Sequence, residues 1–401
     1  MLAPVSRLFA RTPPSPHFPI GGPVTAADLV GREAYIRRAV ARLGDGEHLL
    51  IAGPRRIGKT SVILEVLRRL RRQGALTAYL DCLGATDLRG LGERFADAVL
   101  EALTGSTGAV EQARALATGA TQRARIRTEL LELALPIVRE TSAQRAFDAA
   151  LDLPRAVATR TGRRLVVALD EFQAAGRLGP RVFDLMRSRF QAQRGVAYAF
   201  LGSEEGILEQ LFSEKGRPLY RFAVAHDLAE DGGHRFGIDP SDWLAYLRRK
   251  FGARRIRIAD TEADRIVDAT GGHPQDTMQL CAALYHLMRD NALRAVTPEL
   301  VDVAYEQALR ELERPFALHW SDLGTQKYLQ AIAKRVARGD VLYTARADGA
   351  DVPRAEVLRA LTAMRARGLL VRVGRGRYEF LEPMFADHVR RLDAAAAGIV
   401  R

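Results

Sequence analysis

The sequence predicts an α/β protein: a parallel sheet covered by helices, then a helical region, then a small module of helices closed by a β-hairpin. Three observations lead there. Between about Asp28 and Gly237, strand-like and helix-like runs alternate. The strand-like runs are apolar without strict alternation, as strands buried on both faces are. Beyond Ile238 the pattern is helical until the phrase GLLVRVGRGRYEFLEP near the C-terminus.

The strand candidates are His48 to Ala52, Leu76 to Cys82, Arg164 to Asp170 and Val196 to Gly202, with a fifth near RFAVAHDL. The first runs into IAGPRRIGKTS, beginning at Ile51. Gly53, Pro54, Arg55, Arg56, Ile57, Gly58, Lys59, Thr60 and Ser61 reproduce the spacing of a phosphate-binding P-loop. Such a loop wraps an anion in backbone N–H groups, and glycine stands where a Cβ would block the approach. Lys59 is a compact point charge that reaches between β- and γ-phosphates, where the broad guanidinium of arginine does not fit. Thr60 supplies a hydroxyl to Mg²⁺. The following run repeats Val62, Ile63, Val66, Leu67 and Leu70 at helical spacing until Gly74. That helix aims its positive end at the phosphates.

The strand RLVVALDEFQ supplies the second half of the site. Ligands of parallel sheets bind at the C-terminal ends of strands. There Asp170 holds Mg²⁺ through its water shell, and Glu171 orients or deprotonates an attacking water. The next strand ends in LGSEEG, where Ser203 is placed to touch the γ-phosphate or the water, to cap the following helix, or both. Arg221, in KGRPLYRFA, is a candidate for stabilising charge on a transferring phosphoryl group. Its alternative is an ordinary surface arginine, as for Arg217.

Between Thr104 and Thr161 the chain reads as helices over the sheet, with a loose patch, TGSTGA, that suits a loop. DPSDWLAYLRRKFG begins with a capping Asp and Pro. DTEADRIVDATGGHPQDTMQLCAALYHLM reads as two helices hinged at Gly271 and Gly272. Near the C-terminus, helix candidates precede two short strands around Gly374, Arg375 and Gly376, which describes a winged helix-turn-helix. The expected divisions are a flexible N-terminal tail over 1–27, an ATPase core over 28–237, a helical lid over 238–312, a winged helix over 313–395 and a tail over 396–401.

Composition sets outer bounds. The 401 residues carry a formal net charge of +12, which fits a nucleic-acid or other polyanionic partner. It fits equally an arginine-rich chain whose arginines are solvated on helix faces. Cys82 and Cys281 stand far apart without metal spacing, which indicates a reducing compartment, and the histidines form no metal cluster. No apolar run approaches the roughly 20 residues that span a bilayer, so a cytoplasmic location without membrane contact is expected. The basic, acid-poor N-terminus reads as a Pro-rich tail, with an organelle transit peptide as the alternative.

Taken together, LVGRE, GPRRIGKTS, LDEFQ, GSEEGILEQLF, RPLYRFA and GGHPQ occur in an order that resembles the archaeal-type ATPases, a STAND branch of the AAA+ group. The resemblance runs from about Asp28 to Pro383. It implies a P-loop NTPase core of AAA+/ASCE-like type with five strands, a helical lid and a C-terminal winged helix. It places Val30, Gly31 and Arg32, with Glu33, near the adenine, and makes Gly272, His273 and Pro274 the lid's nucleotide-sensing turn. It implies ATP with Mg²⁺ as cofactors and a slow ATPase. Some relatives carry the arginine one position after Arg221, where this chain has Phe222. Sites of this kind borrow an arginine from a neighbouring copy, so self-association is compatible with the resemblance.

Two functional readings follow. In the first, an ATP-driven switch passes its nucleotide state to the winged helix and a protein partner. In the second, a DNA-binding protein is loaded under ATP control. Arg372, Arg375 and Arg377 on the hairpin, and Arg354, Arg359, Arg365 and Arg367 on or beside the second helix of the turn, VPRAEVLRALTAMRARG from about Val352 to Arg367, would then contact phosphates of double-stranded DNA.

Overall fold

The computed structural model describes residues 17–104, 110, 128–203, 205–229, 235–326, 328–342 and 352–396. Apart from Thr104, the TGSTGA patch lies outside them. The chain divides into two compact units, one of residues 32–231 and one of residues 1–31 with 232–401.

The first unit holds five parallel strands: β1 (Leu49–Ile51), β2 (Leu76–Asp81), β3 (Leu165–Asp170), β4 (Val196–Leu201) and β5 (Val224–Ala225). They lie in the order β2-β3-β4-β1-β5. The five strand candidates fall on these five strands. Every residue of β1, β3 and β4 is buried, which explains their unbroken apolar text. Helices α1 (Glu33–Asp45), α2 (Lys59–Arg72), α3 (Leu88–Thr104), α4 (Thr128–Arg139), α5 (Ala143–Thr161), α6 (Val182–Phe190) and α7 (Glu205–Ser213) complete the unit. Its core includes Phe95, Phe147, Phe172, Phe190, Tyr198 and Phe200.

This topology positions the site. The loop after β1 is flanked by the end of β4, and β3 comes next. In register, Ile51 pairs with Leu201, and Leu169 pairs with Phe200 one level below. The C-terminal ends of three neighbouring strands therefore deliver Gly53, Ser203 and Asp170 to one edge of the sheet.

The second unit carries α8 (Pro240–Gly252), α9 (Asp260–Thr270), α10 (Pro274–Asp290), α11 (Pro298–Gly324), α12 (Leu329–Arg338), α13 (Arg354–Ala366), the antiparallel hairpin β6 (Leu370–Gly374) and β7 (Arg377–Phe380), and α14 (Pro383–Ala396). Asp239 caps α8, accepting from the Ser241 amide at 2.8 Å, with Pro240 opening the helix. Gly271 and Gly272, at φ +55° and +68°, turn the chain between α9 and α10. Helix α11 runs unbroken through the expected division at 312/313. One core extends from Phe18 and Trp243 through Phe316 to Phe385 and Val389, covering both expected regions. Part of the expected flexible tail is also folded. The Phe18 ring is buried against Tyr246, Phe251 and Tyr285, because an apolar ring beside a helical core gains more from burial than a free tail does. Among the described residues no helix is long and apolar enough to cross a membrane.

Helix α2 shows how its charged face is organised. Glu65, almost fully buried, accepts two hydrogen bonds from Arg68 and one from Arg69. Arg69 reaches on to Glu33 of α1 with two bonds of 2.7 Å. The Arg68 and then the Arg69 contacts lower the Glu65 carboxyl to about 2. A depressed carboxylate stabilises the fold above its unfolded pKa and loses that contribution as pH falls through the folded value. Glu65→Gln is therefore expected to cost about 1–2 kcal/mol at pH 6–8, allowing for the partly exposed arginines. In thermal melts the gap from the native chain should close between pH 4.5 and 2.

Candidate nucleotide site

The loop from Gly53 to Gly58 takes backbone angles that most residues avoid. Gly53 sits at φ +145° and Gly58 at φ +95°. A Cβ on Gly53 would meet the Ile57 side chain at 2.7 Å, whereas a Cβ on Gly58 would meet nothing within 4 Å. Gly58 thus borders open space at the head of α2, a cradle at a helix N-terminus. Arg56 also takes positive φ, +68°. The Lys59 ammonium is buried and donates to the carbonyls of Gly53 at 2.6 Å and Pro54 at 2.5 Å.

The buried carboxylate of Asp170 joins the loop to β3. Its Oδ2 accepts the Thr60 hydroxyl at 2.6 Å and the Tyr79 hydroxyl at 2.9 Å, and its Oδ1 accepts the Glu171 amide at 2.9 Å. Burial, then the Asp170 charge, push the Tyr79 phenol well above its ordinary pKa, so it stays a donor. Glu171 sits in the left-handed region, φ +46°, an uncommon conformation for a non-glycine residue. One of its oxygens, Oε2, accepts from the Ser203 hydroxyl at 3.0 Å and from Gln173 Nε2 at 2.5 Å. Arg55 Nε donates to the same Ser203 oxygen at 3.2 Å. A hydrogen-bonded path therefore runs from the loop, through Ser203, to the carboxylate.

The donor set suits Mg²⁺ with a phosphate ligand. Mg²⁺ keeps most of its water and takes one or two carboxylates plus phosphate oxygens. The Thr60 and Asp170 oxygens offer that sparse set beside the cradle, and among the described residues no cluster of three or more His, Cys, Asp or Glu offers a protein-only cage.

Other expected residues lie elsewhere. Arg32 is buried, and its guanidinium donates to the carbonyls of Leu228 at 3.0 Å and Ile57 at 3.1 Å. It ties Ile57 of the loop to Leu228. Val30, Gly31, His273 and Pro274 belong to the second unit. A Cβ on Gly31 would lie 2.9 Å from the Ile238 side chain. His273 is fully buried and caps α10, its Nδ1 accepting from the Asp276 amide at 3.3 Å. Arg221 is exposed at φ +55°. Phe222 beside it is packed on His48, with Arg187 over its ring, so in this chain position 222 serves the core. Ser61 is buried in the first turn of α2.

Tyr79 and Gln173 escape the sequence reading. Tyr79 lies in the middle of the strand LTAYLD with nothing in the spacing to mark it, and its hydroxyl meets Asp170 only because β2 pairs with β3, Asp81 opposite Asp170. Gln173 stands within LDEFQ, but its reach back to Glu171 depends on a tight 3-10 turn over Phe172–Leu178.

Residues 28–197 match the family model of the AAA ATPase domain. A Walker-type ATPase of Pyrococcus abyssi superposes with a TM-score of 0.65 at 18% identity, covering 93% of this chain and 99% of its own. The core has the P-loop NTPase fold. The ORC2 protein of Aeropyrum pernix in its ADP form superposes with a TM-score of 0.50 at 13% identity, covering 96% of this chain and 97% of its own. At these identities the likeness concerns fold. No curated protein matches the chain.

The buried bonds of Arg32 predict a structural role. Arg32→Met leaves two buried carbonyls short of a donor. It should lower the stability of the nucleotide-free protein by about 2–4 kcal/mol. Chemical denaturation measures this directly. An unchanged midpoint would show that the guanidinium is dispensable to the loop.

Proposed function

We propose that the protein binds and slowly hydrolyses ATP with Mg²⁺, as a STAND/AAA+-like switch whose nucleotide state is passed to a C-terminal winged helix. The observation that carries this reading is the Thr60–Asp170 contact at the mouth of the Gly53–Gly58 loop, with Glu171 fixed beside it. The loop amides and Lys59 would bind and neutralise phosphate, and Thr60 with Asp170 would hold the metal. Bound Mg²⁺ would supply charge neutralisation on the phosphates. Glu171 orients a water and accepts its proton, and Ser203 holds Glu171. Arg221 is exposed and its side chain makes no hydrogen bond or ion pair among the described residues, so it is free to serve a neighbouring copy. For the lid, the support lies in Asp276. This buried carboxylate approaches His273 Nδ1 at 3.2 Å and accepts the Met384 amide of α14 at 3.0 Å. It links the turn at Gly272–Pro274 to the C-terminal module.

Lys59→Ala is expected to lose nucleotide affinity. Glu171→Gln is expected to keep it and to lose hydrolysis by about 10²-fold or more. Titration with a fluorescent ATP analogue and a phosphate-release assay separate the two effects. Native turnover by Glu171→Gln would remove Glu171 from its assigned role.

A second reading, DNA binding under ATP control, is favoured by the charge of the C-terminal module. Arg365, Arg367, Arg375 and Arg377 are exposed, and among the described residues no carboxylate pairs with them. Arg359 is paired with Glu356, and Arg372 donates to the Gly374 carbonyl. If the hairpin lies on DNA, replacing Arg375 and Arg377 together by Glu should weaken binding and flatten its salt dependence by about two phosphate contacts. Fluorescence anisotropy with duplex DNA at several salt concentrations tests this. Equal affinity in native and variant chains would take the hairpin out of any DNA contact.

A further inference from the structure

Glu171 is gripped by one oxygen only. Both donors, Ser203 Oγ and Gln173 Nε2, converge on Oε2, and among the described residues no protein donor reaches Oε1. The Gln173 side chain is buried, and its amide orientation follows from chemistry, since only the NH₂ end can face a carboxylate. Its carbonyl Oε1 has no hydrogen-bond partner among the described residues.

Gly202 provides an independent observation. Its backbone is not in the left-handed region, so no dihedral requires glycine there. Space does. A Cβ at position 202 would lie 2.2 Å from Gln173 Oε1 and 2.7 Å from Leu208 Cδ1. The end of β4 is thus hollowed to admit the Gln173 side chain, and the residue beyond the hollow, Ser203, bonds the same carboxylate oxygen.

We infer that Gln173 is a positioning residue for ATP hydrolysis. It fixes the Glu171 carboxylate through Oε2 and leaves Oε1 to receive the proton of the attacking water, while Gly202 is glycine to make room for it. This rests on the proposal that Glu171 activates water. General-base catalysis depends on the carboxylate standing within hydrogen-bond reach of the water, so a carboxylate released to other rotamers loses rate without losing nucleotide.

The test compares the full-length native chain with Gln173→Met, Gly202→Ala and Glu171→Gln. Methionine fills a similar volume without a donor. Gly202→Ala leaves Gln173 in the sequence but expels its amide from the hollow. Both are expected to lower kcat by about 10- to 100-fold, with KM and analogue affinity within about two-fold of native. A merely structural role for Gln173 would leave kcat intact in a folded Gln173→Met. If that variant is poorly folded, Gly202→Ala decides. Native kcat in either folded variant, with Glu171→Gln inactive, overturns this inference alone. Native turnover in Glu171→Gln overturns the inference together with the reading beneath it.

Discussion

The arrangement depends on a single buried carboxylate. Asp170 sits at the end of β3 with almost no exposure, and a charge so placed must be satisfied on every side. Its three donors come from three directions: Thr60 from the first turn of α2, Tyr79 from β2, and the following amide of Glu171. Each ties a different segment to the same atom pair. The strand order makes this reach possible, because β4 separates β3 from β1 and the loop must lean across it to bring Thr60 over.

The unusual backbone of Glu171 follows from the same constraint. Asp170 Oδ1 draws the Glu171 amide inward, and the chain enters its 3-10 turn directly afterwards, so Glu171 is left at φ +46°. Strain of this kind persists only where surrounding contacts over-determine it. Here they are the bonds from Ser203 and Gln173. Arg55 extends the network into the phosphate loop by way of Ser203. A guanidinium in that loop has a second attraction available, since phosphate is a stronger partner for it than a neutral hydroxyl. Arg55 is therefore the point at which an anion in the loop would be felt at Glu171.

Much of this was legible in the sequence, for identifiable reasons. Buried parallel strands are written as apolar runs, and the loop carries glycine at two of the three positions where its angles turn positive, Gly53 and Gly58, with Arg56 the third. The Asp170 and Glu171 pair ends a strand, so its place at the sheet edge followed from topology. Tyr79 was not legible, because its partner is set by strand register and not by spacing. Arg32 reads by resemblance as a residue near the adenine, and only the fold brings its guanidinium onto two backbone carbonyls. Phe18 shows a related difficulty: a single aromatic in a Pro-rich stretch carries no periodicity, and its burial is decided by the helices it meets.

The second unit raises the question of what a movement at the Gly271–Gly272 turn would carry with it. Helix α10 begins at that turn, and the carboxylate of Asp276 in its first turn satisfies an amide at the head of α14. First-turn amides of a helix have no partner within the helix, so this bond is made between helices by necessity as much as by choice. Bonding a helix N-terminus to a buried carboxylate is also electrostatically favourable. Beside this bond the apolar core continues without interruption from Trp243 and Leu280 to Phe316, Phe385 and Val389. Close-packed interiors transmit displacement because they do not compress. The helices on both sides of the glycine pair and the C-terminal hairpin module share this one core, so the packing that couples α10 to α14 also opposes a rotation at the pair.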